Sequence, residues 1–312
     1  MGHAVVCDDT GNIIKSWGNP DEIILPRSSC KMIQALPLIT SGASEAFGLN
    51  MCHLALACAS HQGAYNHTDL VIDWLEDLGR RDSDFRCGAQ MPEDKKAHDD
   101  IIKLEQNPCQ FHNNCSGKHS GFLTLSKHLK AGPEYIEFDH PVQSACLEAF
   151  EMVTNAESPC FAFDRCSAPN YAATLRSIAG AMAWFASAAQ RSDNASKAAC
   201  LLVDAMRLYP ELVAGETRAC TELMRAIDQK VAIKAGAEGV FIAIVPEKKN
   251  GIAVKVIDGS RRESECAITA LLVAIGVLNS AHPATRKRLN APITNWRGIE
   301  TGFIRPATDL VL

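Results

Sequence analysis

Apolar and polar positions along the chain follow two rhythms, and the rhythm changes twice. Residues 3–7 and 12–17 are short strand-like runs, and Asp9-Thr10-Gly11-Asn12 between them reads as a hairpin turn. Residues 23–25 add a third short apolar run. Pro26-Arg27-Ser28-Ser29 then leads into a helical pattern from residue 29 to about 41, ended by Gly42. The middle is helical: Thr68 is a natural N-cap for a helix over 69–78 with Gly79 beyond it. Further helical spacing covers 121–129, 142–153, 171–189 and 195–208. Strand texture returns at 231–234, 240–245 and 252–256, the last two joined across 247–251. A long helix over 263–278 follows, and 302–304 with 310–312 suggest a final strand. Strands from both ends with helices between predict a mainly antiparallel sheet, closed by N- and C-terminal strands, with a helical insert. That is the α+β class. No repeat, low-complexity tract or linker interrupts 1–312, so a single domain is expected.

Composition narrows the function classes. Apolar residues at 47% and charged ones at 21% exclude a disordered or fibrous chain. A net charge of -5 gives no basic footprint for nucleic acid or anionic lipid, so a small-molecule partner is expected. The N-terminus lacks the basic and apolar regions of a signal peptide, and the most apolar stretch, 266–278, is too short to span a membrane. The 13 cysteines are scattered singly with no CxxC spacing, which suits a reducing cytosol and mostly buried, unreactive thiols.

Ser28-Ser29-Cys30-Lys31 is an S-x-x-K at the start of a helical pattern. Residues i and i+3 share a helix face, so the Lys31 amine can reach Ser28 Oγ as a base. The helix N-terminus adds partial positive charge that favours an alkoxide. Alone the motif also fits a solvated surface helix. Ala57-Cys58-Ala59-Ser60-His61 supplies a second serine after an apolar segment, and Lys234-Ala235-Gly236 ends a strand pattern. Separately, Ser60 also fits a helix cap and Lys234 a solvated strand end. S-x-x-K, then a serine loop, then K-x-G on a strand is the order found in serine β-lactamases and penicillin-binding proteins. A lysine base must be a free amine, and a second cation such as Lys234 favours that form by repulsion.

His112-Asn113-Asn114-Cys115-Ser116-Gly117-Lys118-His119 is the most unusual run. It is no phosphate-binding loop, because His112 stands where the first glycine belongs and His119 where a hydroxyl belongs. Such dense polarity suits a buried hydrogen-bonded turn lining a pocket, or a tight loop around a core cysteine. Phe163-Asp164-Arg165-Cys166-Ser167-Ala168-Pro169 has similar texture. If the two runs meet, their thiolates offer a soft-metal site of the kind zinc prefers.

Together, Pro26-Arg27-Ser28-Ser29-Cys30-Lys31, Leu56-Ala57-Cys58-Ala59-Ser60-His61, the run from His112 to His119, Asp139-His140-Pro141-Val142-Gln143, Asp164-Arg165-Cys166-Ser167-Ala168-Pro169 and Lys234-Ala235-Gly236-Ala237-Glu238-Gly239 resemble the rhizobial-type (class 3) L-asparaginases. The resemblance extends from about residue 3 past residue 280. It implies a serine β-lactamase, penicillin-binding and glutaminase-like fold, a cytoplasmic homodimer, and hydrolysis of L-asparagine to aspartate and ammonia. It pairs Ser28 with Lys31 and Ser60 with Lys234 as catalytic residues. It places zinc on Cys115, Lys118 and Cys166, and substrate-binding or supporting roles on Arg27, His61, Asn114, His119, Asp164, Cys220, Gly236 and Glu238. Relatives of this type carry about one more strand before His3, and a smaller residue is common at the position of Cys30. Two other readings compete: a glutaminase or penicillin-recognising acyltransferase on the same fold, and a zinc-binding scaffold without activity.

Overall fold

The computed structural model describes residues 2–310. Contacts divide the chain into two compact units. One comprises Met1–Ser29, Thr174–Ser187 and Thr217–Leu312; the other comprises Cys30–Ala173 and Ala188–Glu216.

The first unit is built on a five-stranded sheet. Its strands are β1 (Gly2–Cys7), β2 (Ile13–Trp17), β3 (Ala232–Ala235), β4 (Val240–Val245) and β5 (Asn250–Val256), ordered β2-β1-β5-β4-β3. Every neighbouring pair is antiparallel. As the sequence implies, strands from both parts of the chain share one antiparallel sheet: β1 from the N-terminal end pairs with β5, Ala4 facing Val254. All six residues of β4 are buried, so both of its faces are covered, which explains its unbroken apolar run. The helices Leu175–Ala186 and Arg261–Ala274 pack on β4 and β5. The edge strand β2 has no buried residue, and Ile14 and Lys15 are exposed.

The anticipated final strand takes a different partner. Residues 302–304 lie in the strand Glu300–Ile304, which pairs with Ala291–Thr294 as a separate hairpin. The Asn295 side chain organises its turn by accepting from the amides of Arg297 and Ile299 at 2.9 and 3.0 Å. Pro292 conceals Ala291–Thr294 in the sequence, since proline is confined to strand edges. Leu310 is outside any strand, and residues 311–312 lie outside the described residues.

The second unit is helical, and here several boundaries move. The helix anticipated over 29–41 is a 3-10 turn, Arg27–Cys30, followed by two short helices, Lys31–Gln34 and Leu36–Thr40. Pro37 has no amide to continue the hydrogen-bond ladder, so the helix breaks at Ala35. The helix anticipated from 69 begins at Tyr65, and Thr68 bonds back to the carbonyls of Ala64 and Tyr65 instead of capping. The helix anticipated from 121 begins at Ser116. Residues 169–171 form a strand, and the next helix starts only at Leu175, in the first unit, where Thr174 Oγ1 accepts from the Ser177 amide at 3.1 Å. Among the described residues, no helix is long and apolar enough to cross a membrane.

Candidate active site

Ser28 stands half-buried in the 3-10 turn that opens toward Lys31. Its neighbour Ser29 is wholly buried, and both its amide and its hydroxyl donate to Pro26 O, at 3.2 and 2.6 Å. Ser29 is thereby committed to the turn, and Ser28 is the hydroxyl left for chemistry. The end of β3 presses on this turn: a Cβ on Gly236 would stand 2.6 Å from Pro26 O, so only glycine permits the approach. Lys234, opposite Ile242 on β4, is 1% exposed and donates to Ala235 O at 2.7 Å. Cys220, on the Ala219–Ala226 helix, accepts from the Ala235 amide at 3.2 Å. Burial raises its thiol above the usual range, against the pull of the Lys234 charge. Arg27 Nη1 and Glu238 Oε1 form an ion pair at 2.6 Å.

In the second unit Lys31 is wholly buried. Its amine donates to Ala59 O and lies 3.1 Å from both Ser60 Oγ and Cys115 Sγ. The serine bonded to Lys31 in this unit is thus Ser60. Three segments hold the Ser60 loop. The Ser60 amide donates to Val213 O at 2.8 Å, the His61 amide to Asn114 O at 3.1 Å, and the Asp94 amide to Gln62 O at 2.9 Å. His61 Nδ1 accepts from the Gly63 amide at 3.0 Å, so its proton is on Nε2 and goes to Ser116 Oγ at 2.9 Å. Ser116 in turn donates to Phe111 O at 2.9 Å. His67 stacks on His61, with ring centroids 4.9 Å apart. Burial, then the neighbouring His67, keeps His61 neutral well below the ordinary histidine range.

The Ser116–His128 helix lies backbone to backbone on the Met51–Ala57 helix; a Cβ on Gly117 would stand 2.3 Å from Leu56 O. This contact brings Cys115 to Lys31. Cys166 sits in the turn between the paired strands Phe161–Phe163 and Pro169–Tyr171, and its sulfur is 3.1 Å from Lys118 Nζ. Cys115, Lys118 and Cys166, distant in sequence, therefore meet in one buried cluster. A hydrogen bond from the Cys115 thiol, helped by the Lys118 charge, brings Cys166 down to about 5. The same hydrogen bond, then burial, pushes Cys115 well up. Burial opposes charge on Lys118, but Cys166, Cys115 and Asp164 outweigh it and hold the ammonium form. Asn114 Oδ1 lies 3.1 Å from Cys115 Sγ. His119 Nδ1 pairs with Tyr135 Oη at 2.9 Å, and burial keeps its ring neutral.

The family model for L-asparaginase II matches residues 1–306. The chain belongs to the L-asparaginase II family. An amide-hydrolysing enzyme with a small-molecule substrate follows from that membership. No curated protein sequence matches the chain. Among solved structures, a β-lactamase from Mycobacterium bovis is similar at 13% identity, with a TM-score of 0.51 over 89% of this chain and 95% of that one. This likeness shows the serine β-lactamase-like α+β fold.

Whether this family member's cluster suits a metal is a question of donors. Among the described residues, no group of three His, Cys, Asp or Glu side chains can hold one. With Lys118 counted, Cys115 and Cys166 complete three donors. Ligands of one tetrahedral zinc stand roughly 3.5 Å apart, close to the 3.1 Å between Lys118 and Cys166. The Cys166 thiol is held below its ordinary range, and the donor set suits zinc only if Cys115 and Lys118 each lose a proton.

Asn113, Ser116, His67 and Tyr135 also support the site, though their roles are not evident from the sequence. Asn113, fully buried, donates to the carbonyls of Cys87 and Gly88 at 2.9 Å and accepts from the Cys115 amide at 2.9 Å. Nothing in an Asn-Asn pair distinguishes the residue that builds the turn from the one beside the thiol. Tyr135 lies in an irregular segment with no periodic signal.

Proposed function

We propose that the chain hydrolyses L-asparagine to aspartate and ammonia as a rhizobial-type member of its family. Ser28 Oγ attacks the side-chain amide carbon. The Lys31 amine takes the hydroxyl proton and delivers it to the departing ammonia, leaving an ester on Ser28. Backbone amides hold the oxyanion, and water then cleaves the ester to release aspartate and restore the serine. Ser60 and Lys234 serve as the second serine–lysine pair.

The observation that most supports a serine–lysine mechanism is the part-buried contact of Lys31 with Ser60, while the choice of Ser28 as nucleophile follows from the family resemblance. The amine donates to Ala59 O, Ser60 Oγ and Cys115 Sγ, and the proton directed at Ser60 is the one whose loss would turn this lysine into a base facing a serine hydroxyl. The same contact favours a second reading, in which Ser60 is the acylated residue. Ammonia release from asparagine and glutamine, with a β-lactam as a competing acylating agent, tests the substrate. Intact-protein mass of the Ser28→Ala and Ser60→Ala variants after asparagine quenching separates the two serines.

In this reading Cys115, Lys118 and Cys166 hold one zinc. When bound, zinc supplies positive charge that orients the substrate's oxygens. Elemental analysis of gently purified protein should find close to one zinc per chain, lost in Cys115→Ala and in Cys166→Ala; metal-free wild type would contradict the site. The family resemblance also supports a cytoplasmic homodimer, which sedimentation equilibrium checks.

A further inference from the structure

Arg27 has a left-handed backbone, φ +55, and so does Glu238, φ +58. Left-handed residues other than glycine are uncommon and strained, and persist where their surroundings hold them. Several others in this chain occupy ordinary positions: Asn155 and Lys249, for example, terminate helices. Arg27 is different, because it opens a helical turn instead of ending one, directly before Ser28.

The two strained residues are joined to each other by the 2.6 Å ion pair. The Arg27 side chain is 12% exposed and the Glu238 side chain 59%, so the carboxylate reaches in from the surface to a largely covered guanidinium. Glu238 is itself fixed. Its carbonyl accepts from Lys255 Nζ at 2.5 Å, the Gly239 carbonyl accepts from the Val256 amide at 3.0 Å, and the Gly236 amide donates to Val240 O at 2.8 Å. The turn after β3 is therefore anchored to β5, and Glu238 extends that anchorage to Arg27. On the other side, Gly236 closes against Pro26 O.

We infer that Glu238 is a positioning residue: through Arg27 it holds the left-handed backbone that aims Ser28. This rests on the proposed role of Ser28 as nucleophile. Glu238 touches no reacting atom in this scheme, so its loss should slow the chemical step and leave substrate binding nearly unchanged. An ion pair with one exposed partner is also screened by salt. The effect on turnover should therefore depend on ionic strength, which a contact between uncharged groups would not show.

The test compares wild type, Glu238→Gln, Glu238→Asp and Ser28→Ala, with asparagine as substrate at low and at high salt. For Glu238→Gln we expect kcat to fall about tenfold, KM to stay within about twofold, and the wild-type sensitivity of kcat to salt to disappear. Glu238→Asp should recover part of the loss. A crystal structure of Glu238→Gln should show Arg27 out of the left-handed region, a readout independent of activity. Wild-type kcat in Glu238→Gln with Arg27 unmoved overturns the inference. A rise in KM alone also overturns it, and makes the pair a substrate contact. An active Ser28→Ala variant would instead sink the nucleophile assignment, whatever Glu238 does, so the two failures are distinguishable.

Discussion

Strand β4 and residues 116–126 of the Ser116–His128 helix are equally hidden from solvent, yet they are buried by different chemistry. β4 is Val-Phe-Ile-Ala-Ile-Val, and its burial is favourable on its own account, because apolar area leaves water. The helix buries Ser116, Lys118, His119, Ser120, Thr124 and Ser126. Each of these must recover in hydrogen bonds what it lost in hydration. Ser116, Ser120, Thr124 and Ser126 do so against backbone carbonyls and Lys118 against Cys166, while His119 pairs through Nδ1 with Tyr135 and its Nε2 is buried without a hydrogen-bond partner. In the proposed mechanism β4 is scaffold, and this helix carries Lys118 of the cysteine–lysine cluster.

Substitutions in β4 and in the buried polar cluster at the start of this helix, which Lys31 joins through Cys115, should therefore fail in different ways. Lys31→Met, which removes the amine that meets Ser60 and Cys115, should lower turnover on the order of a thousandfold or more while the protein stays folded. Ammonia release and circular dichroism on the same sample check both halves of that statement. Ile242→Ala in β4 should do the reverse, costing about 3 kcal/mol of stability with little change in turnover per folded molecule. Denaturant titration alongside the activity assay decides; a dead but fully stable Ile242→Ala would erase the distinction between scaffold and site.

A smaller effect concerns pH. His61 is held neutral, its folded pKa well below the ordinary value of 6.5. The unfolded chain then takes up a proton that the folded one refuses, so this contribution is complete above about 6.5 and is lost as pH falls below it. Melting temperature should fall on acidification of the wild type, and less steeply in His61→Gln. Equal slopes would show that other buried histidines, His119 and His67 among them, set the acid limb alone.

The same contrast explains what was legible in the chain. β4, β5 and the N-terminal hairpin were evident because apolar residues at strand spacing are their cause. The Ser116–His128 helix looked like a loop for its first five residues, since Ser, Gly, Lys, His and Ser carry no apolar period. The chemistry was legible by another route: Ser28-Ser29-Cys30-Lys31, the cysteine–lysine run and Lys234-Ala235-Gly236 stand out by residue type and order. Their spatial partners were less so. Lys118 meeting Cys166 had only texture to suggest it. Lys31 against Cys115 and Arg27 tied to Glu238 depend on backbone approaches at Gly117 and Gly236, which single glycines do not announce.

Ammonia release from L-asparagine by the wild type, Ser28→Ala and Ser60→Ala, each confirmed folded, bears most directly on the account. Robust release by the wild type and a loss on the order of a thousandfold in Ser28→Ala is the expected result. Wild-type turnover in Ser28→Ala would contradict it, and an acyl adduct on that variant would move the nucleophile to Ser60.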